Sequence, residues 1–154
     1  MIAYLSGPIE NAQNDGVGWR NDITTWLENK LNHKVFNPVI ETKNIIKKYD
    51  AKDFRMMKKT NSEGYKKIIR EIIKVDLDAV VNQSDYLIVK WDESVFKGGG
   101  THGEVTMAYW FGKPVYLINS LPLDDVSSWI FSCSDYIFDN FEDLKEKLDE
   151  LYRW

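Results

Sequence analysis

The sequence predicts a doubly wound α/β domain, a mainly parallel sheet of about five strands with helices on both faces. Three observations carry this. Short apolar runs alternate along the chain with stretches at helical spacing, the order a parallel sheet requires because the chain must cross back over the sheet between strands. The run DYLIVKW, residues 85 to 91, has an unbroken apolar middle suited to a strand covered on both faces. The length of 154 residues is that of one domain with one respectable core, so residues 1 to 154 are read as a single domain.

The elements follow in order. IAYLS (2 to 6) is a short apolar run and the first strand. After a long polar loop, Trp19, Ile23, Trp26, Leu27 and Leu31 recur at helical spacing. KVFNP (34 to 38) is a second strand stopped by proline, and PVYLI (114 to 118) and DYIFD (135 to 139) are further strands. Helical patterns occupy roughly 63 to 83, 101 to 112 and 140 to 152. The last carries Phe141, Leu144, Leu148 and Leu151 on one stripe, with Trp154 placed to reach a neighbouring subunit. Residues 39 to 62 are polar with scattered apolar positions and read as one or two short helices or a mobile flap.

Composition narrows the function classes. Apolar residues make up 44% and charged residues 29%, and no segment approaches the 18 or more consecutive apolar residues of a membrane span. MIAYLSGPIE lacks the basic start and long apolar run of a secretory signal, so a cytoplasmic location is expected. With 20 basic and 24 acidic residues the net charge is -4, which argues against binding a nucleic-acid polymer; the locally basic KYDAKDFRMMKK (48 to 59) is read as solvated surface. The single cysteine, Cys133, and the two histidines, His33 and His102, exclude a disulfide and a structural zinc site. No metal and no cofactor are expected.

The unusual residues gather where open α/β sheets bind ligands, beyond the carboxyl ends of the strands. Ser6, Gly7 and Pro8 follow the first strand, Asn37 and Pro38 the second, Trp91 and Asp92 the third, and Asn119 the fourth. GGGTHGE (98 to 104) adds a carboxylate behind three glycines. Thr101 and Glu104 have the spacing of a capping box, in which each satisfies the other's backbone amide. A cap does not account for Gly98, Gly99 and Gly100, whereas a ligand lying against the backbone does. A helix start would also favour an ionised Glu104, the form a nucleophile requires.

Asp76 is the second anomaly. It lies inside the apolar stripe of Ile69, Ile72, Ile73, Leu77 and Val80, so it faces the core and must meet a donor, a helix end or a ligand. Tyr4, on a buried strand, reads as core with one hydroxyl partner. Arg20 is placed either to reach an anionic group at the loop after the first strand or to lie on the surface. His102 reads as loop surface, and Trp91 as either core or a flat surface for a base.

These residues are ordered as in a known group. AYLSGPIE, Trp19-Arg20, VFNP, VDLDAV followed by SDYLIVKWD, and GTHGEVTMAYWFGKPVYLI together resemble the nucleoside 2-deoxyribosyltransferase family and its nucleotide N-glycosidase relatives, over roughly half the chain. The resemblance implies a flavodoxin-like sheet in a homodimer or larger homo-oligomer whose neighbour helps complete the site. It matches Glu104 to a glutamate nucleophile, Tyr4 to the tyrosine that orients it, and Asp76 to an aspartate of the substrate pocket. Ser6, Gly7, Pro8, Arg20, Asn37, Trp91, Asp92, Gly99, Gly100 and Thr101 are the expected substrate-binding residues. The implied reaction is N-glycosidic cleavage of a (deoxy)nucleoside or nucleoside monophosphate, with the sugar passed to another base or to water.

Two departures stand beside the likeness. Family transferases often carry an aspartate six residues before the glutamate, where this chain has Gly98; Asp92 is the nearest substitute. ELYRW offers no counterpart to the family's C-terminal asparagine. GGGTHGE is also partly similar to the GGxGTxxE signature of lysine-decarboxylase-like nucleotide phosphoribohydrolases, except that Lys97 occupies the first glycine position. A non-catalytic module binding a nucleotide or an ADP-ribose-type ligand in the same crevice is the reading from a different class.

Overall fold

The computed structural model describes residues 1 to 51 and 53 to 153. Five strands, β1 (Ile2–Ser6), β2 (Lys34–Phe36), β3 (Tyr86–Trp91), β4 (Val115–Asn119) and β5 (Tyr136–Phe138), form one sheet in the order β2-β1-β3-β4-β5. Every pairing is parallel, with Tyr4 opposite Phe36 on one side and Leu87 on the other. This is the flavodoxin-like order, and the strand sequence reverses direction between β1 and β3.

Side chains alternate across the sheet and split its core in two. Ala3 and Leu5 of β1, Ile88 of β3 and Ile118 of β4 face α1 (Val17–Trp26) and α7 (Phe141–Tyr152), meeting Ile23, Leu144 and Leu148. Tyr4, Leu87, Val89 and Leu117 point the other way. They pack against Ala79 and Val80, which prolong α4 (Ser62–Asp78), and against Val105 and Ala108 of α5 (Gly100–Trp110) and Ile130 of α6 (Ser128–Cys133).

Residues 39 to 62 are largely helical. α2 (Pro38–Lys48) starts at Asn37, whose Oδ1 accepts from the Val39 amide at 3.1 Å with proline in the first turn, an N-terminus with both standard signals. A 3-10 turn, Phe54–Met56, and the short α3 (Met57–Thr60) then lead into α4, capped by Asn61. Helix α6, for which the sequence pattern gave no expectation, is capped by Ser127. The role expected of Trp154 lies outside the described residues. Among the described residues no helix is long and apolar enough to cross a membrane, and no group of three or more His, Cys, Asp or Glu is placed to hold a metal ion.

Candidate active site

A cleft of about 580 Å³ opens outside the carboxyl ends of β1 and β3, at the point where the strand order reverses. Its walls come from the loop after β1, from α2 and α4, and from the loop Ser94 to Gly100 leading into α5. The volume is that of a small-molecule site.

Glu104 lies in this cleft, one turn into α5, with only 9% of its surface exposed. Tyr4 and Ser6 are two apart on β1, so both side chains leave the face of the sheet that α5 covers. The Tyr4 hydroxyl donates to Glu104 Oε1 at 2.8 Å and the Ser6 hydroxyl donates to Oε2. Each carboxylate oxygen thus has one donor from the same strand. Burial pushes the Glu104 carboxyl up from its ordinary range, while the two hydroxyls and the Arg20 cation pull it back toward the ionised form.

That geometry replaces the capping box. Helix α5 begins at Gly100 with Gly99 as its cap and no side-chain capping bond, so Thr101 is already inside the helix. Glu104 cannot serve the helix end because both oxygens face β1. The helix dipole acts mainly in the first turn, so it is the hydroxyls that hold this anion. Ser6, expected against substrate, is instead committed to Glu104.

Asp76 is the other acid of the cleft, 9% exposed, and its Oδ1 is buried without a hydrogen-bond partner. Burial, the neighbouring Glu104 and then Glu41 raise its carboxyl from 3.8 to about 8, against the opposing pull of Arg20. Two nearby acids in unequal surroundings divide the labour: the proton is favoured on Asp76, which has no donor on Oδ1, and the charge on Glu104, which has two hydroxyl donors.

Arg20 is fully buried and lies outside the cleft lining, contrary to the expectation that it meets substrate or solvent. Its guanidinium spans three carbonyls, donating to Gly7 at 2.8 Å, Gly16 at 3.0 Å and Leu5 at 3.3 Å, and it stacks on Trp19. It braces the loop that carries Gly7 and Pro8, both of which do line the cleft. Gly16 is required for this brace: its φ is +67°, and a Cβ there would stand 2.4 Å from the Arg20 side chain.

Gly99, Gly100 and Thr101 line the cleft as expected; a Cβ on either glycine would meet nothing within 4 Å in the protein. Trp91, Asn37 and Asp92 do not line it. Trp91 is 2% exposed in the core, so no face is free for a base. Asn37 is spent on capping α2. Asp92 accepts from the Ser94 amide at 2.9 Å and pairs with Lys90 at 3.5 Å, which removes it as a substitute for the missing aspartate at Gly98. His102 sits on α5 against Trp91, with ring centroids 4.8 Å apart, not on a loop. The apolar wall of α2 and α4 was not anticipated as part of the site, although the stripe containing Asp76 already pointed to it.

No family model matches the sequence, and no curated protein is significantly similar to it. Solved structures are similar in fold. A 2-deoxyribosyltransferase from Bacillus psychrosaccharolyticus superposes with a TM-score of 0.68 at 19% identity, over 94% of this chain and 90% of its own. The CMP N-glycosidase of Clostridium botulinum gives 0.55 at 18% identity over 97% and 99%. A 2-deoxyribosyltransferase from Leishmania mexicana gives 0.57 at 16% over 97% of both chains. The chain therefore has the fold of the nucleoside 2-deoxyribosyltransferase-like enzymes.

Proposed function

We propose that the chain is a cytoplasmic enzyme that cleaves the N-glycosidic bond of a (deoxy)nucleoside or nucleoside monophosphate, with Glu104 as nucleophile. The observation that carries this reading is the buried Glu104 carboxylate, held by Tyr4 and Ser6 in a cleft that also contains Asp76. A carboxylate beneath an anomeric carbon stabilises oxocarbenium character or captures it covalently, as in retaining glycosidases. A Glu104 oxygen bonds to C1′ while the C1′–N bond breaks and its electron pair stays with the base. Asp76 supplies the proton, or a hydrogen bond, to the departing base. A second base or water then attacks C1′, the ester bond breaks, and Glu104 is regenerated. The open glycine loop gives the sugar room to approach the backbone, and Tyr4 and Arg20 act by positioning. The fold likeness supports this reading.

Deoxynucleosides, deoxynucleoside monophosphates and free bases are incubated with the protein, and base release or exchange is followed by chromatography. The proposal requires turnover by the wild type and its loss in Glu104→Ala. Absence of turnover with every substrate, or full turnover in the variant, ends it. A binding-only role for a nucleotide or ADP-ribose-type ligand is the second reading, favoured by Gly98 and by the engagement of Asp92 elsewhere. Tight binding without product would establish it.

We also propose that the chain works as a homodimer or larger homo-oligomer. Trp110 is 77% and Trp129 66% exposed, with Tyr109 next to the first and Phe131 two residues after the second, on the packed pair α5 and α6. Apolar surface of this kind marks an interface, and a two-fold axis would pair the patch with itself. Sedimentation of a monomer would refute it.

A further inference from the structure

The wall of the cleft is more apolar, and longer, than an unmodified base needs. Tyr65, Ile69, the adjacent Ile72 and Ile73, and Asp76 lie on one face of α4, each turn three or four residues from the next, and all line the cleft. The stripe has a carboxyl at its deep end and only the Tyr65 hydroxyl at its outer end, and it runs for three turns, roughly 16 Å from Tyr65 to Asp76 at 1.5 Å per residue. Across from it, α2 contributes Val39 and Ile46, together with the polar Thr42 and Lys43, so the apolar surface of the cleft is concentrated on α4. Ile73 keeps 48% of its surface exposed although it faces the cleft. At the outer end Phe54 stacks on Tyr65, with centroids 5.1 Å apart, and Arg55 pairs with Asp15 at 2.8 Å, tying the segment before α3 to the loop before α1.

Resting on the glycosidic reading above, we propose that the preferred leaving base carries an apolar substituent, an alkyl or aryl group that lies along Ile72, Ile73 and Ile69. A base engaged by Asp76 covers the turn of α4 beside it, about 5.4 Å of pitch, and leaves the two outer turns bare. On the α4 side those turns offer hydrocarbon and no hydrogen-bonding side chain until Tyr65, the polar Thr42 and Lys43 standing on the opposite wall. A polar base edge laid against α4 would lose its water without replacement, whereas an alkyl group would gain burial. The sugar is assigned to the other side, against the glycine loop, because Gly99 and Gly100 leave open space there in the cleft that holds Glu104.

The test is a substrate series on the intact protein. Initial rates of base release are measured for 2′-deoxyadenosine and its N6-alkyl and N6-benzyl derivatives, and for 2′-deoxyuridine and its 5-alkyl derivatives, each as the nucleoside and as the 5′-monophosphate. The inference predicts that kcat/KM rises along at least one series, by about 10-fold or more for a well-seated group, and that Ile73→Ser and Ile69→Thr each reduce the ratio of substituted to unsubstituted substrate. Two variants guard against one failing to fold, and melting curves identify such a failure. Turnover of the parent nucleosides with a flat or falling series overturns this inference and leaves the glycosidic reading standing. Absence of turnover with every member overturns both.

Discussion

Tyr4 on β1 donates its hydroxyl hydrogen to Glu104 on α5 at 2.8 Å, one hundred residues further along the chain. The bond links the first strand of the chain with the helix behind the glycines. Its energetic direction is defined, because a donor to a carboxylate stabilises the ionised form.

Tyr4→Phe keeps the ring in the core and its stack on Phe36 but deletes the donor. Glu104 then relies on Ser6, and its carboxyl rises further. The acidic limb of the pH profile of kcat should therefore move to higher pH, with a loss in stability of about 0.5–1.5 kcal/mol. An unshifted limb with the same loss would mean that the hydroxyl only packs.

Asp76 links pH to stability. Its carboxyl stands at about 8 in the fold against an ordinary 3.8, so the folded protein holds a proton that the unfolded chain releases between those values. Stability from this group is complete below 3.8 and is lost as pH rises toward about 8, flattening above. Thermal melts from pH 5 to 9 should show the wild type losing more stability over this window than Asp76→Asn. Parallel curves would contradict the assignment.

Arg20→Lys replaces a planar fork by a point charge that cannot span the carbonyls of Leu5, Gly7 and Gly16. Urea unfolding should show a loss of about 2–4 kcal/mol, the cost of leaving buried acceptors unmet. A change in KM without a change in stability would instead place Arg20 against substrate.

Gly99→Ala separates ligand room from protein structure. The added methyl meets nothing in the fold, and Gly99 has a φ of -117° that alanine adopts freely. Stability should hold or rise by up to about 1 kcal/mol, while kcat/KM falls. Unchanged kinetics would show that no ligand lies against that backbone.

Much of this site was legible because period-2 and period-3.6 patterns are geometric. Asp76 stood out within an apolar stripe, and Tyr4 and Ser6 share a strand face by parity alone. The meeting of that face with Glu104 was not readable, since it depends on how α5 crosses the sheet. Arg20 illustrates the other failure. Its partners are backbone carbonyls, which carry no sequence signal, so a structural brace looked like a ligand contact. Residues 39 to 62 read as one or two short helices or a mobile flap, and the start of α2 escaped because Pro38 was read as a strand stop, when Asn37-Pro38 is also a helix start. Trp91 and Asp92 sit at the predicted strand end but are claimed by the core and by a local turn.

The most direct measurement of the central claim is peptide mass mapping after acid quench during turnover of a deoxynucleoside. Capture by Glu104 predicts a sugar adduct on the peptide containing residue 104, absent in Glu104→Gln and discharged when free base is added. Base release at an undiminished rate in Glu104→Gln, or an adduct on another residue, would contradict it.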